Sequence, residues 1–144
     1  MHPTLIVLDT MVVIAAVTGD PSGPSAAVLD AISTGEVRLA ISDDQLSELV
    51  RAFGYPEVEE MVGRPVRAFE AALDIGYMGV MHHPRRLDWP SLHDPNDAWM
   101  LDLAHASGAD YIVSYDSDVE VAAEPLGFEY VPPEELLEIL RQRR

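Results

Sequence analysis

Neither cysteine nor lysine occurs in the 144 residues of the sequence. The lack of cysteine excludes a disulfide framework, metal sites built on thiolates and cysteine nucleophiles. The lack of lysine excludes sites that need an amine, such as a P-loop, a Schiff base or the phosphoacceptor site of a receiver domain. A phosphatase of the haloacid dehalogenase type, which also uses a lysine, is excluded for the same reason.

Long apolar runs are missing as well. The two longest, residues 5–8 and 11–17, are separated by Asp9 and Thr10, and both are far shorter than the roughly 20 residues that a membrane-spanning helix needs. The sequence does not open with the charged, apolar and small residues of a signal peptide. We therefore expect a cytoplasmic protein without a membrane segment.

Positive charge is scarce, because nine basic residues, all arginine, stand against 25 acidic ones and give a formal net charge of −16. A field of this sign repels nucleic acid, so the composition argues against a protein that works by nonspecific phosphate contacts. The acidic surface is also consistent with solubility alone or with a salt-rich habitat. An apolar share of 48%, without internal repeats, predicts a compact fold.

Apolar patterns typical of strands and helices alternate along the chain. This alternation predicts an α/β fold, a three-layer α/β/α sandwich with a central, mainly parallel sheet. No linker interrupts it, so one domain over residues 1–144 is expected. Strands are predicted at residues 5–8, 37–41, 77–81, 111–114 and 128–131. Helices are predicted at residues 10–17, 25–32, 42–53, 57–62, 65–75, 94–107 and 132–144.

Three aspartates occupy positions that suit a binding site. Asp9 and Asp116 follow predicted strands, and ligands of parallel sheets bind at the carboxyl ends of strands, although either residue alone is also typical of an ordinary turn. Asp97 lies in the first turn of its helix, on the face that carries Met100 and Leu101. The helix dipole explains its place in the first turn but not its inward orientation.

Glu48 fits this pattern less well, because it points away from the apolar stripe of its helix and is predicted to be solvated. Several carboxylates at one rim repel each other and raise their own pKa values unless a cation lies among them. Ligands that offer only oxygen select hard ions, which indicates Mg²⁺ or Mn²⁺. The chemistry that follows is metal-assisted attack of water on a phosphodiester, where the ions locally reverse the field of an acidic protein.

These residues, in this order, resemble the PIN-domain family, and more closely the toxins of Vap-type toxin–antitoxin modules. The resemblance spans nearly the whole chain. It rests on Leu-Asp-Thr at 8–10, Ser-Glu-Leu at 47–49, Asp-Pro-Asn-Asp at 94–97 and Tyr-Ile-Val-Ser-Tyr-Asp-Ser-Asp at 111–118. The last block, which follows a helix led by acids and ends in Asp-x-Asp, is the most specific.

The resemblance implies a metal-dependent endoribonuclease, restrained by a cognate antitoxin protein and able to form a homodimer. It also implies which acids hold the Mg²⁺ or Mn²⁺. Glu48 is one of them by resemblance, although the helical pattern predicts that its side chain lies in solvent. The implied ligands are Asp9, Glu48, Asp97 and Asp116. Asp118 matches a frequent additional acid and is predicted to hold the metal as well, whereas Asp94 is open to two interpretations, a helix cap or a ligand.

The sequence departs from the family at Met11, where asparagine or serine usually helps to position the acids and a water molecule. A methionine side chain cannot donate a hydrogen bond. Together with the acidic surface, this leaves a second hypothesis open, a catalytically degenerate PIN fold that acts as a binding module. His82, His83 and His93 lack clear helical metal-site spacing, so they are interpreted as ordinary loop residues.

Overall fold

The computed structural model describes residues 3–62, 74–90 and 92–144. The strands are β1 (Thr4–Leu8), β2 (Val37–Ile41), β3 (Gly79–Met81), β4 (Tyr111–Val113) and β5 (Tyr130–Val131). The helices are α1 (Thr10–Thr18), α2 (Pro24–Ser33), α3 (Asp43–Phe53), α4 (Pro56–Val62), α5 (of which residues 74–78 are described), α6 (Ala98–Ser107), α7 (Ser117–Ala123) and α8 (Pro133–Gln142). Most of the helix predicted at 65–75 lies outside the described residues.

The five described strands form one sheet in the order β3-β2-β1-β4-β5, and every neighbouring pair is parallel. At its centre, Ile6 of β1 is paired with Leu39 of β2 and with Tyr111 of β4. Parallel neighbours need a crossover connection, which helices usually provide. The predicted α/β fold with a parallel central sheet is confirmed.

Each face of the sheet carries its own apolar core. Ile6 and Leu8 belong to a core that includes residues of α1, α2, α3 and α8. Val7 points to the opposite face and packs in a second core with residues of α6 and α7. Consecutive apolar residues are what a strand buried on both faces requires. The helices therefore lie on both sides of the sheet, as the three-layer arrangement demands.

The strand predicted at 77–81 is shorter than expected, because Tyr77 and Met78 still belong to the helical residues of α5. β3 begins at Gly79, where a Cβ atom would lie 2.4 Å from the Cγ2 atom of Ile41 on the neighbouring strand. That close approach excludes any side chain unless Ile41 moves. The pairing of β2 with β3 therefore depends on a glycine at this position.

The last third of the chain corrects two other predictions. The strand predicted at 128–131 is reduced to the two residues of β5. The helix α7 was not predicted, because seven residues are too few for a helical period to stand out in the sequence. Its apolar side chains nevertheless follow helical spacing, with Val119, Ala122 and Ala123 buried.

The helix predicted at 94–107 has two parts. Asp94 caps it as expected, since its carboxylate accepts a hydrogen bond from the Asn96 N–H at 2.9 Å. The first turn, Pro95–Asp97, is a 3-10 helix, because its backbone hydrogen bonds join residues three apart, as from the Asp97 N–H to the Asp94 carbonyl. The α-helix then ends at Gly108, whose φ of 68° is the left-handed conformation expected of a C′ glycine.

Parallel strands place all their carboxyl ends along one edge of the sheet, which is where the polar residues gather. Asp9 follows β1, Ser42 follows β2 and Ser114 follows β4. Within residues 3–62, 74–90 and 92–144, no helix combines the length and the hydropathy needed to cross a membrane.

Candidate metal centre

A cleft of about 480 Å³ opens at the carboxyl edge of the sheet. We call it the acid cleft, because four carboxylates line it, those of Asp9, Glu48, Asp97 and Asp116. They come from the end of β1, from α3, from the 3-10 turn before α6 and from the residue before α7. Folding thus brings four segments that are distant in sequence around one space.

Asp9 is the most deeply buried of the four acids, with 8% of its surface exposed. Its Oδ2 atom accepts a hydrogen bond of 2.6 Å from the hydroxyl of Ser114, and its Oδ1 atom accepts one of 3.4 Å from the Met11 N–H. Burial raises the pKa of Asp9, and the charge of Asp116 adds to the rise, whereas the hydrogen bonds oppose it. The carboxylate is therefore fixed in orientation and costly to ionise without a positive partner.

Ser114 connects two of the acids. Besides donating to Asp9, its Oγ atom accepts a hydrogen bond of 3.0 Å from the Asp116 N–H, and the residue is fully buried. The sequence predicts Ser114 only as the last residue of a strand. The available signal is a hydroxyl at the end of an apolar strand, two residues before Asp116.

Asp116 and Asp118 face different clefts despite their spacing. The Oδ1 atom of Asp116 accepts a hydrogen bond of 2.9 Å from the Asp118 N–H and caps α7. The side chain of Asp118 lines a neighbouring cleft together with Leu92 and His93. The structure therefore brings Asp116 into the acid cleft and leaves Asp118 beside it, close enough for its charge to help raise the pKa of Asp97.

Glu48 is less exposed than the helical pattern predicts, with 20% of its side chain accessible. Its carboxylate pairs with the guanidinium group of Arg51, one turn further along α3. Glu48 also borders a second cleft of about 570 Å³, lined in part by Arg51 and Arg86. The pattern missed this burial because helical periodicity detects packing of the apolar stripe, whereas Glu48 lines clefts that residues of other segments complete.

Gln45 ties the helix that carries Glu48 to the end of β1. Its side-chain Nε2 atom donates a 3.0 Å hydrogen bond to the Leu8 carbonyl, directly before Asp9. The hydroxyl of Ser42 caps the start of α3, because it accepts a hydrogen bond from the Gln45 N–H at 3.3 Å. The Gln45 side chain turns toward Leu8 instead of back toward Ser42, so the cap is not reciprocal.

Asp97 is half-buried in the acid cleft, and its pKa is raised to about 6. Burial is the largest cause, followed by the negative charges of Asp94, Asp9, Asp116 and Asp118. The carboxylates therefore repel one another across the cleft. Such an arrangement is favourable only when protons or a cation offset the charge.

We expect the stability advantage of an Asp97→Asn variant over the wild type to grow with pH. Folding raises the pKa of Asp97 from 3.8 to about 6, so the protonated carboxyl stabilises the fold at low pH and this contribution is lost as the pH rises through about 6. After allowance for the exposed half of the side chain, the loss is about 1 kcal/mol. Urea unfolding in EDTA from about pH 4 to 8 measures it, and a difference that does not vary with pH would contradict the expectation.

Comparisons with known proteins identify the family and support the fold. A family model described as the PIN domain matches residues 5–118, well over half of the chain. The chain belongs to the PIN-domain family. The fold is also similar to that in a crystal structure of VapBC2 from Rickettsia felis, bound to a DNA fragment from their promoter. That match has a TM-score of 0.54 and 14% identity, and it covers 90% of this chain and 98% of the other. No curated protein sequence matches the chain.

The donors in the acid cleft of this PIN domain have the chemistry of a site for a hard divalent ion. All four carboxylates offer oxygen, and the repulsion that raises the pKa of Asp97 is what a cation would relieve. The hydroxyl of Thr10, which lines the same cleft, is buried without a hydrogen-bond partner. Carboxylates and a buried hydroxyl without a partner fit Mg²⁺ or Mn²⁺ better than a softer metal.

The carboxylates that line the acid cleft are too far apart in this structure to coordinate one ion together. In the part of the PIN domain that the structure describes, no three acidic or histidine side chains lie close enough together to hold a metal. Protein donors occupy several of the oxygen atoms instead, since Glu48 pairs with Arg51 and Asp9 accepts from Ser114. An ion that enters the cleft therefore has to compete with these contacts.

Proposed function

We propose that this PIN domain is a metal-dependent endoribonuclease that hydrolyses phosphodiester bonds of RNA, and that it is the toxin of a toxin–antitoxin pair. The observation that carries the proposal is that four carboxylates from separate segments line one cleft at the carboxyl edge of the sheet. The toxin role is supported by the fold shared with VapBC2. The proposed partners are RNA, a cognate antitoxin protein and a second copy of the chain in a homodimer, and the proposed compartment is the cytoplasm.

In this proposal Asp9, Glu48, Asp97 and Asp116 hold Mg²⁺ or Mn²⁺, with Asp118 contributing charge nearby. A bound ion supplies an activated water as the nucleophile and neutralises the negative charge that develops on the phosphate. The residues of the chain arrange the ligands for this purpose. Ser114 holds the carboxylate of Asp9 in one orientation. On α3, the Oε2 atom of Glu48 is paired with Arg51, so an ion would compete with that guanidinium group for the carboxylate.

The proposal predicts that the purified chain cleaves mixed RNA in Mn²⁺ or Mg²⁺ and not in EDTA. An Asp97→Asn variant, prepared identically, should lose at least about 100-fold in rate, because it removes a charged ligand at the centre of the reaction. The variant also controls for contaminating nucleases. Cleavage that survives EDTA or the substitution would contradict the proposal. No cleavage by the folded protein in any metal would favour the binding module instead.

A further inference from the structure

The acid cleft also has an apolar lining beside its carboxylates. Its apolar and aromatic lining residues are Met11, Ala15, Ala52, Tyr55, Trp99 and Tyr115. Large apolar side chains in water cost free energy unless something covers them. Met11 is 53% exposed and lies two residues from the buried Asp9, and Tyr115 is 45% exposed and directly precedes Asp116. A ligand of this cleft therefore meets both carboxylates and apolar side chains.

Tyr115 is exposed but held in place. Its hydroxyl donates a hydrogen bond of 3.1 Å to the Oε1 atom of Glu134, next to the start of α8, and lies 3.1 Å from the hydroxyl of Ser25 in α2. The hydroxyl is thus already bonded within the protein, so the ring is the part of the side chain that remains for a ligand. An aromatic ring held in this way loses little conformational entropy when a second flat group stacks on it.

We propose that Tyr115, together with Met11, forms a binding surface for an unpaired base of the RNA substrate, next to the phosphate at the carboxylates. This inference rests on the proposed ribonuclease function. Tyr115 directly precedes Asp116 and lines the same cleft, so a base on the ring belongs to a nucleotide near the phosphate at the carboxylates. The polarisable thioether of Met11 suits the same flat apolar face.

The overall charge of the chain favours this kind of contact. With a net charge of −16, the protein gains little affinity for RNA from long-range attraction to phosphates. Stacking of a base on an aromatic ring does not depend on net charge and tolerates any base. It does require a base that is not already stacked and paired in a helix. The substrate class is therefore single-stranded RNA or an unpaired loop rather than a duplex.

The test compares the Kd of the wild type for single-stranded RNA with the Kd values of three variants. The RNA is labelled and has hydrolysis-resistant phosphorothioate linkages, and its binding is measured by fluorescence anisotropy in Mn²⁺. Tyr115→Leu is expected to raise the Kd about 5- to 100-fold, the range of one base–aromatic stack. Tyr115→Phe keeps the ring and loses the bonds to Ser25 and Glu134, so its Kd should stay within about threefold of the wild type. Tyr77→Leu is the matched control, because Tyr77 is 92% exposed and precedes β3, at the opposite edge of the sheet.

Each outcome decides the inference. The inference is overturned if the wild type does not bind the RNA or if Tyr115→Leu leaves the Kd unchanged. It is also overturned if Tyr77→Leu or Tyr115→Phe loses as much affinity as Tyr115→Leu, or if Tyr115→Leu loses as much affinity for a duplex of the same sequence. Cleavage of unmodified RNA is measured in parallel. If the protein cleaves RNA but its binding does not depend on Tyr115, the inference is overturned and the proposed function remains. If binding depends on Tyr115 but no RNA is cleaved, the proposed function is overturned and the base-binding surface remains.

Discussion

Replacing Asp9 with asparagine is expected to abolish metal-dependent cleavage of RNA, with a loss of at least about 100-fold in rate. The carboxylate lies in the acid cleft at the end of the central strand, and the hydroxyl of Ser114 and the Met11 N–H fix its orientation. Asparagine retains one oxygen, which can accept the short Ser114 hydrogen bond, and it gives up only the long 3.4 Å contact with the Met11 N–H. The variant therefore tests the charge of Asp9 as a metal ligand and not its packing.

Stability measurements separate this effect from misfolding. Without metal, Asp9→Asn should be at least as stable as the wild type near neutral pH, because burial raises the pKa of Asp9 and makes its charged form costly. The wild type should gain about 2.7 kcal/mol when Mn²⁺ is present at about 100 times its Kd. The variant should lose most of that gain, as thermal unfolding with and without Mn²⁺ will report.

Asp110→Asn is the matched control for Asp9→Asn, because it changes the net charge by the same amount at the opposite edge of the sheet. The Oδ2 atom of Asp110 accepts a hydrogen bond of 2.8 Å from the Leu5 N–H, a contact that an amide oxygen can preserve. Cleavage should therefore be unchanged in this variant. If the two variants lost equal activity, the effect would come from net charge, and Asp9 would not be a metal ligand.

Replacing Asp102 with alanine is expected to destabilise the fold by about 3 kcal/mol, which lowers the unfolding temperature by roughly 10 °C. Asp102 lies on α6 and is only 5% exposed. Its Oδ1 atom accepts hydrogen bonds from the Leu87 N–H at 3.0 Å and from the indole Nε1 of Trp89 at 2.7 Å. Alanine would leave both donors without a partner and would free the segment that carries Arg86.

Asp102→Asn separates the loss of these hydrogen bonds from the loss of charge, since an amide oxygen can still accept from both donors. Its cost should be smaller, about 1 kcal/mol. Trp89 also serves as a local probe, because its ring lies edge-on to Phe128 at a centroid distance of 5.9 Å. Its fluorescence should shift to longer wavelength in the alanine variant before the protein unfolds. Equal stability losses in the two variants would contradict the role given to the hydrogen bonds.

The strands and the acids next to them could be predicted from the sequence for a simple physical reason. A strand buried on both faces is a continuous apolar run, and Asp9 breaks such a run where it reaches the edge of the sheet. The inward orientation predicted for Asp97 followed from helical spacing and agrees with its position in the acid cleft. These are local patterns, which one segment of sequence contains by itself.

The contacts that support the acids could not be predicted in the same way. Ser114 reaches Asp9 across 105 residues, Gln45 reaches Leu8 across 37, and Asp102 holds Trp89 across 13. Each of these contacts joins two segments whose relative placement depends on tertiary packing. A single polar residue in an amphipathic segment does not reveal whether its partner is water or another chain segment, which is why the burial of Glu48 was also missed.

The two strands at the margins of the described sheet are short, with three residues in β3 and two in β5. A margin of this length presents few free backbone N–H and C=O groups to another extended chain. Self-association through strand pairing, the route that leads exposed sheets toward fibrils, is therefore disfavoured. For the same reason, a protein that binds this chain would have to contact helices or side chains in the clefts, because the sheet offers it little main chain to extend.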